Sequence, residues 1–260
     1  MVVSTETVIL KLGGSVITDK NADVGVVRAS DLLRIAQEVS KFRGNMIIVH
    51  GAGSFGHTYA RKYGLDMIFN LKGVIVTHES VKKLTSRVVD SLNRLEVRAV
   101  AVHPMACTVC RKGRIESMYL DSIKLMLKNG FVPVLHGDIV MDLELGTCVL
   151  SGDQIVPYIA KELGVTRLGL GSAEDGVLDK NGEPVPEITP KKFEQLKHYI
   201  GSSESTDVTG GMLGKVQELL ELSKTSCITS YIFNAGKADN IFKFLNGEPI
   251  GTKISPDEMV

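Results

Sequence analysis

Three glycine-rich stretches of this chain each carry a side chain able to meet an anion. The first is Lys11-Leu12-Gly13-Gly14-Ser15, which overlaps the end of the apolar run 8–12 and is followed by Asp19-Lys20. Adjacent glycines let backbone N–H groups approach phosphate-type oxygens with no Cβ in the way. Lys11 puts a compact positive charge at the end of an expected strand, and Lys20 could return a second charge over the loop. The plain alternative is a structural turn with a surface lysine. The second stretch is His50-Gly51-Ala52-Gly53-Ser54-Phe55-Gly56-His57. A GxG-like loop is shared by dinucleotide folds and many turns, but this one lacks the spaced third glycine and the first-strand position of that fingerprint. It closes on His57 at an expected helix start. The third stretch is Asp207-Val208-Thr209-Gly210-Gly211-Met212-Leu213-Gly214-Lys215, opening a helix whose positive end and backbone donors favour an anion. Lys215 lies about one turn in. This is not a Walker A motif, GxxxxGK followed by Ser or Thr, and Gly210-Gly211 could equally be a bend.

The elements that must position these loops alternate along the whole chain. Apolar runs at 8–12, 46–50, 98–102, 131–136, 167–171, 230–234 and 250–254 are expected strands. Helices are expected between them: from a Ser30 cap to Phe42, from Val74 to Leu95, 119–129 ending at Gly130, Gly152 to Leu163, 190–200, 212–224 and 238–245. Residues 107–117 suit a hairpin turning at Lys112-Gly113, and Lys180-Asn181-Gly182-Glu183 suits a turn between two short strands. Strands separated by helices predict a mainly parallel sheet covered on both faces. In such sheets ligands sit beyond the carboxyl ends of the strands, where the glycine loops fall. No repeat or low-complexity linker divides the chain.

Composition narrows the partners. The chain has 260 residues, 43% of them hydrophobic, and its 30 Lys and Arg balance its 30 Asp and Glu. No basic field argues for nucleic acid and no basic tail for a membrane surface. No apolar run nears the ~20 residues that span a bilayer, and the first residues lack the pattern of a signal peptide, so a cytoplasmic protein is expected. The four cysteines do not make a disulfide scaffold in a chain this long. Cys107 and Cys110 lack the second pair of a zinc site, and two ordinary thiols in a hairpin are expected.

Together, KxGGS, the Ser151-Gly152-Asp153 helix start and DVTGGMxxK, in this order, resemble the amino acid kinase superfamily over nearly the whole chain. Within it, GAGSFGH with its terminal histidine, and His136-Gly137-Asp138 followed by Ser151-Gly152-Asp153, resemble the archaeal isopentenyl phosphate kinases and their fosfomycin kinase relatives. The resemblance implies an α/β fold, an open αβα sandwich with a mainly parallel central sheet. It implies one amino acid kinase domain over 1–260, with an acceptor-binding half at 1–150 and a nucleotide-binding half at 151–260. By matched position Lys11, Gly13, Gly14, Ser15, Gly53, Gly211 and Lys215 belong to ATP, and Ala52, His57 and Gly152 to the acceptor phosphate. Lys20 matches the family's transition-state stabiliser, and Asp153 would hold the lysines in place. Relatives often carry Thr-Asp-x-Asp-Gly after the nucleotide-side strand; here Gly171-Ser172-Ala173-Glu174-Asp175-Gly176 keeps only the later Asp-Gly, leaving Ser172, Asp175 and Gly176 as candidates on the nucleotide side. Gln154 replaces the more usual second Asp and receives no role. A homodimer is also implied.

The expected chemistry is transfer of the γ-phosphoryl group of ATP, with Mg2+ on the β- and γ-oxygens, to isopentenyl phosphate; no protein ligand to the metal can be named. A five-carbon tail needs an apolar pocket, and Val74, Thr77, Ile139 and Val149 are placed to line it, although buried Val and Ile are as often plain packing. Two other functions compete: a kinase for another small acid or phosphonate, such as acetylglutamate or fosfomycin, and a non-catalytic nucleotide sensor. The retained Lys11, Lys20 and Lys215 speak against the sensor, which would be free to lose them.

Overall fold

The expected alternation forms in the computed structural model, which describes residues 6–19, 22, 24–165, 167–200, 211–226 and 228–257. Strand β1 (Thr7–Leu12) enters a single helical turn, α1 (Gly14–Ile17), and α2 (Ala29–Val39) leads to β2 (Asn45–His50). Helices α3 (Gly53–Lys62) and α4 (Leu71–Asn93) follow, then β3 (Ala99–Ala101) and the hairpin β4 (Thr108–Arg111) and β5 (Arg114–Met118). Next come α5 (Asp121–Lys128), β6 (Val132–His136), and the hairpin β7 (Asp138–Asp142) and β8 (Gly146–Leu150). The remainder is α6 (Gly152–Leu163), β9 (Arg167–Ser172), β10 (Glu187–Ile188), α7 (Pro190–Ile200), α8 (Gly211–Thr225), β11 (Thr229–Asn234), α9 (Asn240–Leu245) and β12 (Thr252–Ile254).

Eight strands make the central sheet, in the order β10-β12-β11-β9-β1-β2-β6-β3. Every neighbouring pair is parallel except β11 with β12. Strand residues alternate between the two faces. Val8, Leu10 and Leu12 pack with α2, α4 and α9, while Ile9 and Val49 pack with α6 and α8. Both faces are covered, so these strands are apolar throughout, as buried parallel strands must be. The register aligns Leu12 with His50 and with Gly171, and His50 with His136. The carboxyl ends of β9, β1, β2 and β6 therefore stop along one edge, and the glycine loops start there together.

Several local expectations change. Ser30 does not cap α2: the helix begins at Ala29, because the Arg28 N–H bonds Ile17 O at 2.9 Å and a Thr18–Val27 bridge delivers the chain into the helix early. The helix also stops at Val39 rather than Phe42. Helix α4 starts three residues before Val74, capped by Asn70, whose side chain accepts from Gly73 N at 2.9 Å. The turn around Gly182 joins an isolated bridge, Leu178–Pro184, rather than two strands. A feature the alternation concealed is a separate sheet, β5-β4-β7-β8, lying beside α6. Its hairpin turn falls at Lys112-Gly113 as expected, both residues with positive φ.

Candidate active site

The first two glycine loops are packed against each other. Gly13 N donates to Gly171 O at 2.8 Å and Gly51 N to Leu12 O at 2.8 Å, carrying the sheet's bonding one residue past the strands. A Cβ on Gly14 would stand 2.5 Å from Gly53 N, and one on Gly51 would stand 2.6 Å from Gly14 N. Gly53 has φ +51°, and a Cβ there would overlap Thr18 Oγ1. That hydroxyl donates to Gly14 O at 2.7 Å and accepts from Ser54 N at 3.1 Å. The close approach needs glycine on both sides, and Thr18 locks it. Ser15 sits half-buried in α1 beside it.

Lys11 stands on the opposite face of β1 from Leu12 and points toward α6. Its Nζ lies 2.9 Å from Asp153 Oδ1, and Lys215 Nζ lies 3.6 Å from Asp153 Oδ2. All three side chains are 12% exposed or less, so removing one partner is costly, because it leaves a buried charge uncompensated. Asp153 is in the first turn of α6, and Lys215 reaches back across the first turn of α8 to Gly211 O at 3.1 Å. Gly152 packs against the Lys11 stem. Three distant stretches of sequence thus deliver two ammonium groups to one carboxylate at the mouth of the glycine loops. Lys20 and residues 201–210, which include Asp207 and Gly210, lie outside the described residues.

On the β9 side, the Ser172 hydroxyl donates to Glu174 O at 3.0 Å and accepts from Glu174 N at 3.1 Å. Asp175 takes Lys237 Nζ at 2.7 Å and Asn234 Nδ2 at 3.0 Å, and these contacts, the lysine first, lower its pKa. Gly176 packs tightly on Thr252, whose hydroxyl accepts from Val177 N at 2.8 Å. The 171–176 loop is therefore held by Ser172 and Asp175 from within and by Asn234, Lys237 and Thr252 from β11, β12 and the turn after β11.

On the β2–β6 side, Ala52 N and Gly152 N flank Gly137, within 3.6 Å of the position a Gly137 Cβ would take. His57 lies in α3, one turn beyond Gly53 and half-buried, not at the helix start that the glycine loop suggests. The helix begins earlier because Gly53 itself turns the chain. Beyond these loops opens a cavity of about 340 Å3. Its apolar lining includes Leu65, Met67, Ile68, Phe69, Leu145 and Val149, and Ser151, Asp153, Gln154, Gly214 and Glu218 also line it. Of the four tail candidates, Val149 lines it; Val74 and Ile139 are buried just behind it with Ala60 and Leu65. Thr77 is buried on α4, its hydroxyl without a hydrogen-bond partner among the described residues. Phe69 lies over Gly146 at the hairpin tip.

Three features escaped the sequence. Asp142 ties the two hairpin tips together, accepting from Lys112 N, Gly113 N, Glu144 N and Leu145 N at 2.8–3.2 Å. Burial opposes its charge, but the four N–H groups prevail and pull its carboxyl down to about 2. Arg114 on β5 forms a two-pronged pair with Glu218 on α8, with Nη2–Oε2 at 2.9 Å. Met67-Ile68-Phe69, an exposed apolar run between two helices, supplies the cavity wall; its isolation from any core periodicity was the available signal. Cys107, Cys110 and Cys148 are free thiols, and among the described residues no helix is long and apolar enough to cross a membrane.

Residues 6–234 match the amino acid kinase family. The chain is 36% identical to the isopentenyl phosphate kinase of Methanocaldococcus jannaschii over 96% of its own length and 99% of the relative's. It is 37% identical to that of Methanothermobacter thermautotrophicus, over 95% and 98%. A crystal structure of an isopentenyl phosphate kinase superposes with a TM-score of 0.82 at 34% identity, covering 96% of this chain and all of that one. The chain belongs to the amino acid kinase family and, within it, to the isopentenyl phosphate kinases.

Proposed function

We propose that the chain transfers the γ-phosphoryl group of ATP to isopentenyl phosphate, giving ADP and isopentenyl diphosphate. The observation that carries this is the Lys11–Asp153–Lys215 bridge, set between packed glycine loops and an apolar-walled cavity. An oxygen of the acceptor phosphate bonds to the γ-phosphorus as the bond to the β,γ-bridging oxygen breaks, and ADP leaves with that electron pair. A phosphate monoester has its second pKa near ~6, so the acceptor is already a dianion at neutral pH and needs no base. The enzyme's task is positioning and neutralisation of charge. Lys11 and Lys215 face the transferring group, with Lys20 as a third cation. Gly13, Gly14, Ser15, Gly53 and Gly211 cradle the triphosphate, and Ser172, Asp175 and Gly176 border the nucleoside. Ala52 and Gly152 N–H groups, with His57 as a donor, hold the acceptor phosphate, and its tail enters the cavity behind Val149. Residues 151–260 then serve mainly the nucleotide and 1–150 the acceptor.

Mg2+ belongs to the same proposal. The ion would arrive with the nucleotide and would neutralise phosphate charge there; among the described residues no three His, Cys, Asp or Glu side chains gather as a metal cage. A cytoplasmic homodimer completes the proposal, checked by fractionation and by sedimentation. ADP release with isopentenyl phosphate, fosfomycin and acetylglutamate tests the acceptor. Turnover is expected with the first well above the other two. Preference for either of those would replace the acceptor, and no release with any would leave a nucleotide-binding protein without kinase activity.

A further inference from the structure

Behind the glycine loops, on the face of the sheet opposite Lys11, lies a row of histidines that the proposed chemistry does not use. His50 and His136 end β2 and β6 in register, both fully buried, with their rings stacked at a centroid distance of 5.6 Å. His50 Nδ1 lies 3.0 Å from Gly51 O and its Nε2 lies 3.0 Å from Thr85 Oγ1 on α4. His136 Nδ1 lies 3.0 Å from Gly137 O, and its Nε2 lies 2.8 Å from His103 Nδ1. His78 Nδ1 meets Asp138 Oδ1 at 2.8 Å, and the same carboxylate accepts from Met105 N and Ile139 N.

These partners dictate the tautomers. A carbonyl oxygen only accepts, so the proton of His50 and that of His136 must both sit on Nδ1. Each Nε2 is then an acceptor: His136 takes the Nδ1–H of His103, and His50 takes the Thr85 hydroxyl proton. That hydroxyl also lies 3.0 Å from Val81 O, but this carbonyl keeps its own helical bond within α4. The titratable and charged groups around the row are few: Asp138 and His78 beside His103 and His136, and Lys82 and Glu79 at the α4 surface near His103. Burial, aided by the neighbouring imidazoles, holds His50 at about 3, and burial holds His136 at about 4 against the pull of Asp138.

A trans peptide is planar, with its C=O and N–H pointing opposite ways. Holding Gly51 O on the α4 side therefore turns the Ala52 N–H toward the Lys11 side, where Gly152 N also stands. Holding Gly137 O keeps Gly137 seated between those two nitrogens. We infer that His50 and His136 are positioning residues for the acceptor phosphate: by Nδ1–H donation His50 fixes the peptide that aims the Ala52 N–H, and His136 fixes Gly137, which packs against the Ala52 and Gly152 nitrogens. This rests on the acceptor assignment above, and nothing else in the proposed chemistry requires these two side chains.

Two substitutions of nearly equal size separate positioning from packing. Asn carries a donor at the place of Nδ1, and Leu fills the same space without one. His50→Leu should raise KM for isopentenyl phosphate roughly tenfold, the usual effect of one misdirected hydrogen bond, with KM for ATP and kcat little changed. His50→Asn should restore most of it, and the His136 pair should behave alike. Long-range 1H–15N NMR of the wild-type protein should show both rings as Nδ1–H tautomers that stay neutral at pH 5.5. Equal loss in the Asn and Leu variants, a rise in KM for ATP instead, or Nε2–H tautomers would each overturn the inference while leaving the kinase assignment standing. Wild-type protein that neither binds nor turns over isopentenyl phosphate would instead remove the acceptor assignment and the inference with it.

Discussion

Lys11 and Asp153 hold each other at 2.9 Å, one at the end of β1 and the other in the first turn of α6, and Lys215 closes on the second carboxylate oxygen at 3.6 Å. One buried anion thus keeps two cations at a set spacing beside backbone donors. The arrangement suits a step in which negative charge shifts along a phosphoryl transfer coordinate.

Lys11→Ala and Lys215→Ala should each cut kcat by ~10²–10³, the cost of one lost transition-state contact of about 2.7–4 kcal/mol. Asp153→Asn should also lower kcat, by freeing both ammonium groups, and the double variant Lys11→Ala/Asp153→Asn should lose less than the sum of its parts. Steady-state kinetics on variants with wild-type circular dichroism checks this. Near-normal turnover in either lysine variant would remove that lysine from the chemistry.

Acid should destabilise the fold well above the range in which carboxylates titrate. His50 and His136 have folded values of about 3 and about 4, below the ordinary 6.5. The unfolded chain therefore binds protons that the folded chain refuses. Their contribution is fully present above pH 6.5 and is lost as pH falls toward 4 and then 3, at about 1.4 kcal/mol per pH unit for each ring. Urea unfolding at pH 7, 6 and 5 should show this slope, and His50→Asn should reduce it. A flat profile from pH 6.5 to 5 would mean that these imidazoles are not held neutral.

Asp142→Ala should loosen both hairpin tips at once, since four backbone N–H groups lose their acceptor. A stability loss of about 1–3 kcal/mol is expected, with faster hydrogen exchange at Lys112, Gly113, Glu144 and Leu145. In the wild type the same knot, with its carboxyl at about 2, should fail only as pH falls from about 4 toward 2. Unchanged exchange at these amides in the variant would show that the tips are held by other contacts.

The sheet and its loops were legible because parallel buried strands are written as apolar runs that stop at glycines. Leu12, His50 and His136 each end such a run, so their common edge follows from topology. The β4–β5 hairpin was legible from its turn, but its union with β7 and β8 in a separate sheet was not, because β4 pairs with β7 across some thirty residues of sequence. The role of Asp142 was not legible because its four donors come from two hairpins separated by some thirty residues, which no local pattern encodes. The Ser30 cap failed for the same reason, since the start of α2 is set by Ile17 O. His57 and the lysines were singled out by loop chemistry, and the resemblance already implied that Asp153 holds the lysines; the structure brings Lys11 and Lys215 to that carboxylate.

The cavity wall makes chain length adjustable. Phe69→Ala and Leu145→Ala should improve kcat/KM for ten-carbon over five-carbon acceptors, because each further buried methylene contributes roughly 0.8 kcal/mol. Val149→Ala should act in the same direction. Unchanged preference in single and double variants would place the tail outside the cavity of about 340 Å3.

The most direct measurement is 31P NMR of the protein with ATP, Mg2+ and isopentenyl phosphate. The account predicts that the monoester resonance disappears as two coupled diphosphate resonances of a new product grow, in one-to-one proportion with ADP. Growth of ADP and inorganic phosphate with the monoester untouched would contradict it, as would ATP that stays intact beside an acceptor the protein has bound.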